Sequence, residues 1–288
     1  MSAPSIRIDT DVEHCYIQAC TARIHYVLWR GRAGRPLILL LHGVESNSSW
    51  FMTLGARLAA KGYLVAAIDR PGCGLSSGRR GDLESLARLQ VQLTAVIRDI
   101  DASLPVYCLG FSWGARWCLT QAIDCPEHFR GLMLLCPGLV LRKPYSLTAR
   151  LSIAATGTLF PTLPRPTPVA SSSDFTANPR RLEFIQSDPQ RLSQVTSRFL
   201  WQSWRMARII ERQGKSLRVP LLHLLAANDR ICDNGRNREL VRSRMPATPY
   251  SEIVYPDADH ALPLDCDRFD IAADIDQWVR SVALTRSL

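Results

Sequence analysis

The chain has 288 residues, of which 47% are hydrophobic and 21% are charged, so it has the composition of a globular protein with one large core or two modest ones. It contains no apolar run of roughly eighteen residues and no apolar signal segment near its N-terminus, so we expect no membrane span and a cytoplasmic location. Its nine cysteines are scattered and never spaced Cys-x-x-Cys, which argues against a disulfide framework or a zinc site.

The net charge of +9 belongs to one segment of the chain. Residues 140–218 contain 11 Arg and 2 Lys against four acidic residues, which makes this segment +9 and leaves the remainder neutral. No recognisable nucleic-acid-binding motif accompanies the arginines. We therefore expect no nucleic acid as a partner.

Strand-like and helix-like patterns alternate before residue 140. Residues 15–30 predict an antiparallel hairpin, because β-branched and aromatic residues recur at near-alternate positions. Continuous apolar runs then predict strands that are covered on both faces, separated by amphipathic helices. The predicted strands are 36–41, 63–68, 105–109 and 132–136, and the predicted helices are 50–61, 83–100 and 115–123.

The alternation stops over residues 140–218, which are rich in proline and include a helical tract at 193–213. It resumes at 219–226, 237–245, 252–255 and 269–282. This order predicts an α/β fold in which a mostly parallel, doubly wound sheet is built from residues 1–139 and 219–288. We call the interrupting residues 140–218 the cap segment.

A nucleophile is predicted at Ser112. The sequence Gly110-Phe-Ser112-Trp-Gly114 matches Gly-x-Ser-x-Gly at the point where an apolar strand meets a helical pattern. Flanking glycines allow the sharp turn that lifts the serine hydroxyl above the sheet edge, next to the backbone amides of a helix N-terminus. The alternative is a helix-capping serine in a glycine-containing loop.

A serine hydroxyl needs a base and an acid that orients this base. His260 follows the last predicted strand in a polar loop, and Asp229 ends the preceding buried strand. Asp233, Asp257 and Asp259 are alternatives for the acid, but the last two flank the histidine too closely to face it well.

Two backbone amides are predicted to stabilise the oxyanion. Trp113 follows the nucleophile, and Val44 lies in the turn His42-Gly43-Val44-Glu45 after the third strand. We expect His42 to hold this turn through hydrogen bonds rather than to act as a ligand or base.

With these elements in order, the chain resembles the α/β-hydrolases, and within them the monoacylglycerol lipases and bacterial lysophospholipases of the serine aminopeptidase S33-like group. The resemblance covers about residues 15–283. It depends on His42-Gly-Val-Glu45, on Asp69-Arg-Pro-Gly-Cys-Gly-Leu-Ser-Ser-Gly-Arg-Arg-Gly81, on Ser187-Asp-Pro189 and on Asn228-Asp-Arg-Ile-Cys-Asp233. Trp113 is instead similar to the equivalent residue of proline iminopeptidases, although the His-Gly-Gly-Pro-Gly turn of those enzymes is absent.

The resemblance implies that the cap segment covers the nucleophile. We expect Glu45, Trp204 and Arg205 to contact the substrate. Arg198, Arg205, Arg208 and Arg212 fall within about 80° of a helical projection. Such a face is either simply solvated or attracts an anionic lipid surface, a substrate anion or an acidic carrier protein. Apolar residues, namely Leu147, Leu151, Ile153 and Phe160, either line an acyl channel or form the core of the cap.

The sequence therefore favours a serine hydrolase that cleaves carboxylic esters of acyl or lipid-like substrates and needs no metal or organic cofactor. A thioesterase or acyltransferase acting on carrier-bound acyl chains is the main alternative. A proline-iminopeptidase-like peptidase and a catalytically silent binding protein are less favoured, because the basic insertion does not suit a substrate ammonium group and all catalytic elements are present.

Overall fold

The computed structural model describes residues 12–285 except 33 and 170. Its strands and helices follow the chain in this order: β1 (Val12–Ala19), β2 (Ala22–Trp29), β3 (Leu37–Leu41), α1 (Met52–Ala60), β4 (Leu64–Ile68), α2 (Leu86–Asp101), β5 (Val106–Phe111), α3 (Gly114–Asp124), β6 (Phe129–Leu135), α4 (Leu147–Leu159), β7 (Pro164–Pro166), α5 (Pro179–Ser187), β8 (Gln194–Thr196), α6 (Ser197–Gln213), β9 (Leu221–Ala226), α7 (Asn234–Arg244), β10 (Tyr250–Tyr255) and α8 (Ile271–Thr285).

Eight strands form one twisted sheet in the order β1-β2-β4-β3-β5-β6-β9-β10. The hairpin strands β1 and β2 are antiparallel to each other, and β2 is antiparallel to β4. All remaining neighbours are parallel. The predicted α/β-hydrolase fold, with its mostly parallel sheet and N-terminal hairpin, is confirmed.

The central strands are buried on both faces, as their continuous apolar sequences predict. Every residue of β3, β5 and β9 is buried, and the side chains on the two faces of the sheet belong to two separate apolar clusters. Six neighbouring strands run parallel, in the order β4-β3-β5-β6-β9-β10. The loops after β3, β5, β9 and β10 therefore meet at one edge of the sheet.

Between β6 and β9 the chain leaves the sheet. The cap segment holds α4, α5 and α6 and a separate two-stranded ribbon of β7 and β8. The predicted helical tract 193–213 is shorter than expected, because 194–196 pair with β7 and the helix starts at Ser197, capped by the Thr196 hydroxyl. The division into a core and a cap remains our interpretation of this arrangement.

Three carboxylates join the cap segment to the rest of the protein. Each is buried or half-buried and contacts partners on the opposite side. The pairs are Asp82 with Arg198 and Thr196, Glu45 with Arg191 and Thr167, and Asp188 with Asn47 and Trp50. Arg198 is therefore not part of a freely solvated basic face.

Within the described residues, none of the helices has both the length and the apolar character needed to cross a bilayer.

Candidate active site

Ser112 lies in a strained turn directly after β5. Its φ angle is +53°, a left-handed conformation that few non-glycine residues adopt. Gly114 is required by close approach, since a Cβ there would lie 2.1 Å from the carbonyl oxygen of Leu41 on β3. The turn therefore holds the serine at the sheet edge, at the start of α3.

Ser112, His260 and Asp229 lie in one hydrogen-bonded series. The Ser112 hydroxyl donates to His260 Nε2 over 2.9 Å, and His260 Nδ1–H donates to Asp229 Oδ2 over 2.7 Å. The second carboxylate oxygen of Asp229 accepts the amides of Ile231 and Cys232. The imidazole and the carboxylate are almost wholly buried, so this geometry is protected from competing water.

The alternative acids have other contacts. Asp233 accepts the amide of Arg236 and caps α7, and Asp259 accepts the amide of Ala177 in the cap segment. Asp257 is exposed and adopts a left-handed conformation. Of the four aspartates considered from the sequence, Asp229 is the one whose carboxylate contacts His260.

Val44 and Trp113, the residues predicted to supply the oxyanion donors, lie near the nucleophile. Both residues line the same cavity as Ser112, and neither amide donates a hydrogen bond within the described part of the chain. Gly43 brings the turn close, since a Cβ there would lie 3.2 Å from Ser112 Cβ. Two free donors at this position could hold a developing oxyanion.

His42 holds the turn as expected from the sequence. Its Nδ1–H donates to the Gly43 carbonyl over 2.8 Å, and its Nε2 accepts the amide of Arg70 over 3.2 Å. Burial and the nearby positive charge of Arg70 lower the pKa of His42 to about 3. The imidazole is therefore neutral at physiological pH.

Arg70 lies beneath the same turn and was not identified from the sequence. Its guanidinium is fully buried and donates to the carbonyls of Gly43 (3.2 Å) and Val44 (3.0 Å). It packs against the rings of Trp113 and Phe199, 4.9 Å from each centroid. In the described chain no carboxylate oxygen is within 4.0 Å of it. The only sequence signal was a charged residue next to a buried strand.

Trp113 also connects the nucleophile turn to the cap segment. Its indole Nε1–H donates to the Ser203 hydroxyl on α6 over 2.8 Å, and its ring packs 5.0 Å from that of Phe199 on the same helix. An unbranched aliphatic side chain at this position could not make the hydrogen bond. This contact gives a structural reason for tryptophan next to the nucleophile.

A cavity of about 840 Å³ opens above Ser112, between the sheet edge and the cap segment. This volume lies in the range of sites that enclose small ligands. Its walls are largely apolar and include Leu147, Leu151 and Ile153 of α4 and Leu200 of α6. Phe160, the fourth residue expected to line a channel, is not part of the wall and is 63% exposed.

The predicted substrate-contacting residues differ in their placement. Trp204 lines the cavity, but Glu45 and Arg205 do not. The buried carboxylate of Glu45 is held by Arg191 at 2.6 Å and 2.9 Å, and the guanidinium of Arg205 donates to Gln202 of its own helix. Burial raises the pKa of Glu45, although hydrogen bonds from Thr167 and Arg191 oppose the shift.

Cys136 lies close to the same series, and its thiol with Asp229 and His260 offers three potential metal-ligand atoms within 4.8 Å of one another. Metal binding requires a thiolate. Burial and the nearby charge of Asp229 raise the pKa of Cys136, which keeps the thiol protonated. The donor set therefore suits proton transfer from Ser112 better than ligation of a metal ion.

Comparisons with known proteins identify relatives that match most of the chain. Human monoglyceride lipase is 28% identical over 253 residues, which are 85% of this chain and 82% of that protein. Monoacylglycerol lipase of Mycolicibacterium smegmatis is 23% identical over 280 residues, 94% of this chain and 98% of that protein.

Among solved structures, a soluble variant of Saccharomyces cerevisiae monoglyceride lipase in complex with a substrate analog superimposes with a TM-score of 0.82 at 18% identity. The superposition covers 97% of this chain and 99% of that chain, and at this identity it shows the fold alone. Residues 33–267 match the Hydrolase_4 family, described as serine aminopeptidase, S33, and the chain belongs to this family of α/β-hydrolases.

Proposed function

We propose that the protein is a serine hydrolase that cleaves carboxylic esters of acyl or lipid-like substrates through an acyl-enzyme on Ser112. The observation that carries the proposal is the 2.9 Å contact between Ser112 Oγ and His260 Nε2 at the base of a largely apolar cavity. The names of the full-length relatives, monoglyceride and monoacylglycerol lipases, support a lipid ester as substrate.

In the first half-reaction, Ser112 Oγ attacks the ester carbonyl carbon while His260 Nε2 takes the hydroxyl proton. Asp229 stabilises the imidazolium through the Nδ1–H bond. The amides of Val44 and Trp113 stabilise the oxyanion of the tetrahedral intermediate. When the intermediate collapses, the bond to the leaving alcohol breaks and His260 returns the proton to that oxygen.

Water completes the cycle. His260 Nε2 takes a proton from a water molecule that attacks the acyl carbon. When the second tetrahedral intermediate collapses, the bond from the acyl carbon to Ser112 Oγ breaks, His260 returns the proton to Oγ, and the fatty acid is released. The apolar walls of α4 and α6 would hold the acyl chain during both steps by removing its surface from water.

The geometry favours an ester over a peptide substrate. An aminopeptidase needs an acidic group for the substrate ammonium, but the buried Glu45 carboxylate is paired with Arg191. Two glutamates, Glu211 and Glu239, line the cavity, but five arginines line it as well, so its net charge disfavours an ammonium group. Contact of the cap segment with an anionic lipid surface or an acidic carrier protein, and a cytoplasmic location, stay predictions. The exposed apolar residues Leu147 and Leu151 at the cavity mouth would suit the lipid surface.

A fluorophosphonate probe and an ester panel test the proposal. We expect the probe to label the wild-type protein, and Ser112→Ala to abolish both labelling and hydrolysis of p-nitrophenyl and glyceryl esters. Ser193→Ala, an exposed serine of the cap segment, serves as the matched control and should retain both.

Two outcomes would contradict the proposal. A folded wild-type protein that the probe does not label would indicate a silent binding protein. A higher kcat/KM for acyl thioesters than for oxygen esters of the same chain length would indicate a thioesterase.

A further inference from the structure

The cavity above Ser112 has a basic rim. Arg150 of α4, Arg208 of α6 and Arg236 and Arg244 of α7 all line it and are exposed, and we call these four residues the rim arginines. We propose that they bind an anionic group of the substrate, a phosphate or a carboxylate, so that the preferred substrate is a negatively charged acyl ester. This inference rests on the proposed function, because it concerns the same cavity.

The rim arginines lack the partners that other arginines of the protein have. Arg181, Arg191 and Arg198 of the cap segment form ion pairs with carboxylates. In the described chain, no ion pair within 4.0 Å involves a rim arginine. Arg150 Nε donates to a backbone carbonyl, and Arg208 lies over the ring of Trp204. Most of their guanidinium N–H groups therefore face solvent at the cavity mouth.

The charge of the lining is unbalanced. Five arginines and two glutamates, Glu211 and Glu239, line the cavity and leave a net charge of +3. The fifth arginine, Arg116, is less exposed, and each of its three guanidinium nitrogens already donates to a carbonyl, those of Gly138, Leu139 and Ser203. It therefore offers fewer free donors than the rim arginines.

Apolar walls with a basic rim fit an amphiphile that has an anionic end. A guanidinium offers two parallel N–H donors that match the oxygen atoms of a phosphate or carboxylate. A net positive cavity mouth also raises the local concentration of an anionic substrate and speeds its association. A neutral glyceride would gain from neither effect, although it would fill the same apolar cavity.

The anionic group could lie on the alcohol side or at the far end of the acyl chain, and two substrate pairs distinguish these positions. The first pair is 1-hexanoylglycerol and 1-hexanoylglycerol 3-phosphate. The second pair is p-nitrophenyl hexanoate and the p-nitrophenyl monoester of adipic acid, which ends in a carboxylate. Short chains keep all four esters monomeric, so that binding to lipid aggregates does not contribute.

We expect kcat/KM to be higher for the anionic member of at least one pair. Raising the salt concentration from about 0.05 M to about 0.5 M should reduce this preference, because exposed charges are screened. Arg208→Gln and Arg244→Gln should each lower the preference about two- to fivefold. Arg212→Gln, an exposed arginine of α6 outside the cavity lining, makes the same change in net charge and should leave the preference as it is.

Binding to the Ser112→Ala variant tests the inference without turnover. Calorimetric titration should show tighter binding of the anionic member of the same pair. The proposal is overturned if neutral esters are hydrolysed and bound as well as their anionic partners, or if Arg212→Gln alters the preference as much as Arg208→Gln. Tighter binding of the anionic ester without any hydrolysis would support the inference and refute the proposed function, so the two failures are distinguishable.

Discussion

Arg70 provides the sharpest test of how the turn His42-Gly43-Val44-Glu45, which carries one of the proposed oxyanion donors, is held. Replacing it with methionine keeps an unbranched side chain of moderate length but removes both hydrogen bonds to the carbonyls of Gly43 and Val44. The peptide group that carries the Gly43 carbonyl and the Val44 amide would then be held by the His42 hydrogen bond alone. We expect the Val44 amide to lose its orientation toward the carbonyl carbon attacked by Ser112.

The effects on activity and stability should differ in size. Loss of one oxyanion donor lowers kcat about 10²- to 10³-fold, or about 3–4 kcal/mol of transition-state stabilisation. The buried Val44 carbonyl, left without the Arg70 donor, costs about 1–3 kcal/mol, whereas the Gly43 carbonyl keeps its hydrogen bond from His42. The substitution also removes a buried guanidinium without a carboxylate partner, which offsets part of this loss. We therefore expect Arg70→Met to lower the free energy of unfolding, but by less than about 3 kcal/mol.

Kinetics with esters and inhibition by a trifluoromethyl ketone, which forms a tetrahedral adduct with the serine, measure the effect. In Arg70→Met the affinity for the ketone should fall in parallel with kcat, while KM changes little. Arg70→Lys keeps the charge, but its ammonium group cannot contact both carbonyls as a planar guanidinium does. Its kcat should therefore lie between those of the wild type and Arg70→Met.

Arg80→Met is the control, because Arg80 lies in the same loop but contacts the carbonyls of Gly74 and Gln190. A kcat/KM for Arg70→Met within about threefold of the wild type would refute the reasoning, since the loss of a single donor is expected to be much larger. A decrease in kcat/KM that comes only from a higher KM would also refute it.

Two further predictions concern stability. Burial lowers the pKa of His223 to about 4 in the folded protein. As the pH falls from about 6.5 to about 4, the unfolded chain therefore binds a proton at this residue before the folded protein does. In this interval the free energy of unfolding of the wild type decreases by about 1.4 kcal/mol per pH unit. In urea unfolding, His223→Leu should not show this decrease, so its free energy of unfolding should rise by about 2 kcal/mol relative to that of the wild type between pH 7 and pH 5. If the two proteins show the same pH dependence, the lowered pKa of His223 is disproved. Gly55→Ala should destabilise the protein by about 1–3 kcal/mol, because its Cβ would lie 2.8 Å from three ring atoms of Trp29. Gly235→Ala, where the nearest atom would be 3.5 Å away, should not lower the melting temperature, and equal effects of the two alanines would contradict the packing argument.

The order of elements in the core could be read directly from the sequence. Runs such as 36–41 and 219–226 are apolar at every position or nearly so. Short runs of this kind are typical of strands that are covered on both faces of a sheet. Their boundaries in the structure differ by one or two residues, at most three for β6. Ser112, Asp229 and His260 could be proposed together because each follows a predicted strand, and parallel strands end at one edge of the sheet.

The contacts between the cap segment and the core could not be read in this way. Arg198 and Arg205 occupy one face of the same helical projection, yet Arg198 pairs with Asp82 and Arg205 bonds only within its helix. A projection specifies the direction of a side chain but not what lies opposite it. Glu45 was expected to contact substrate from its place in the turn His42-Gly-Val-Glu45, but Arg191, 146 residues further along the chain, holds its carboxylate.

Taken alone, the sequence determined the fold class, the strand order along the chain and the three residues proposed for catalysis, because local hydrophobic periodicity and turn chemistry are sufficient for these features. The tertiary structure decided which charges are paired and which remain free. Arg70 is buried against two rings, and the rim arginines remain exposed around one cavity. These differences arise from contacts between residues distant in the chain, which no local pattern encodes.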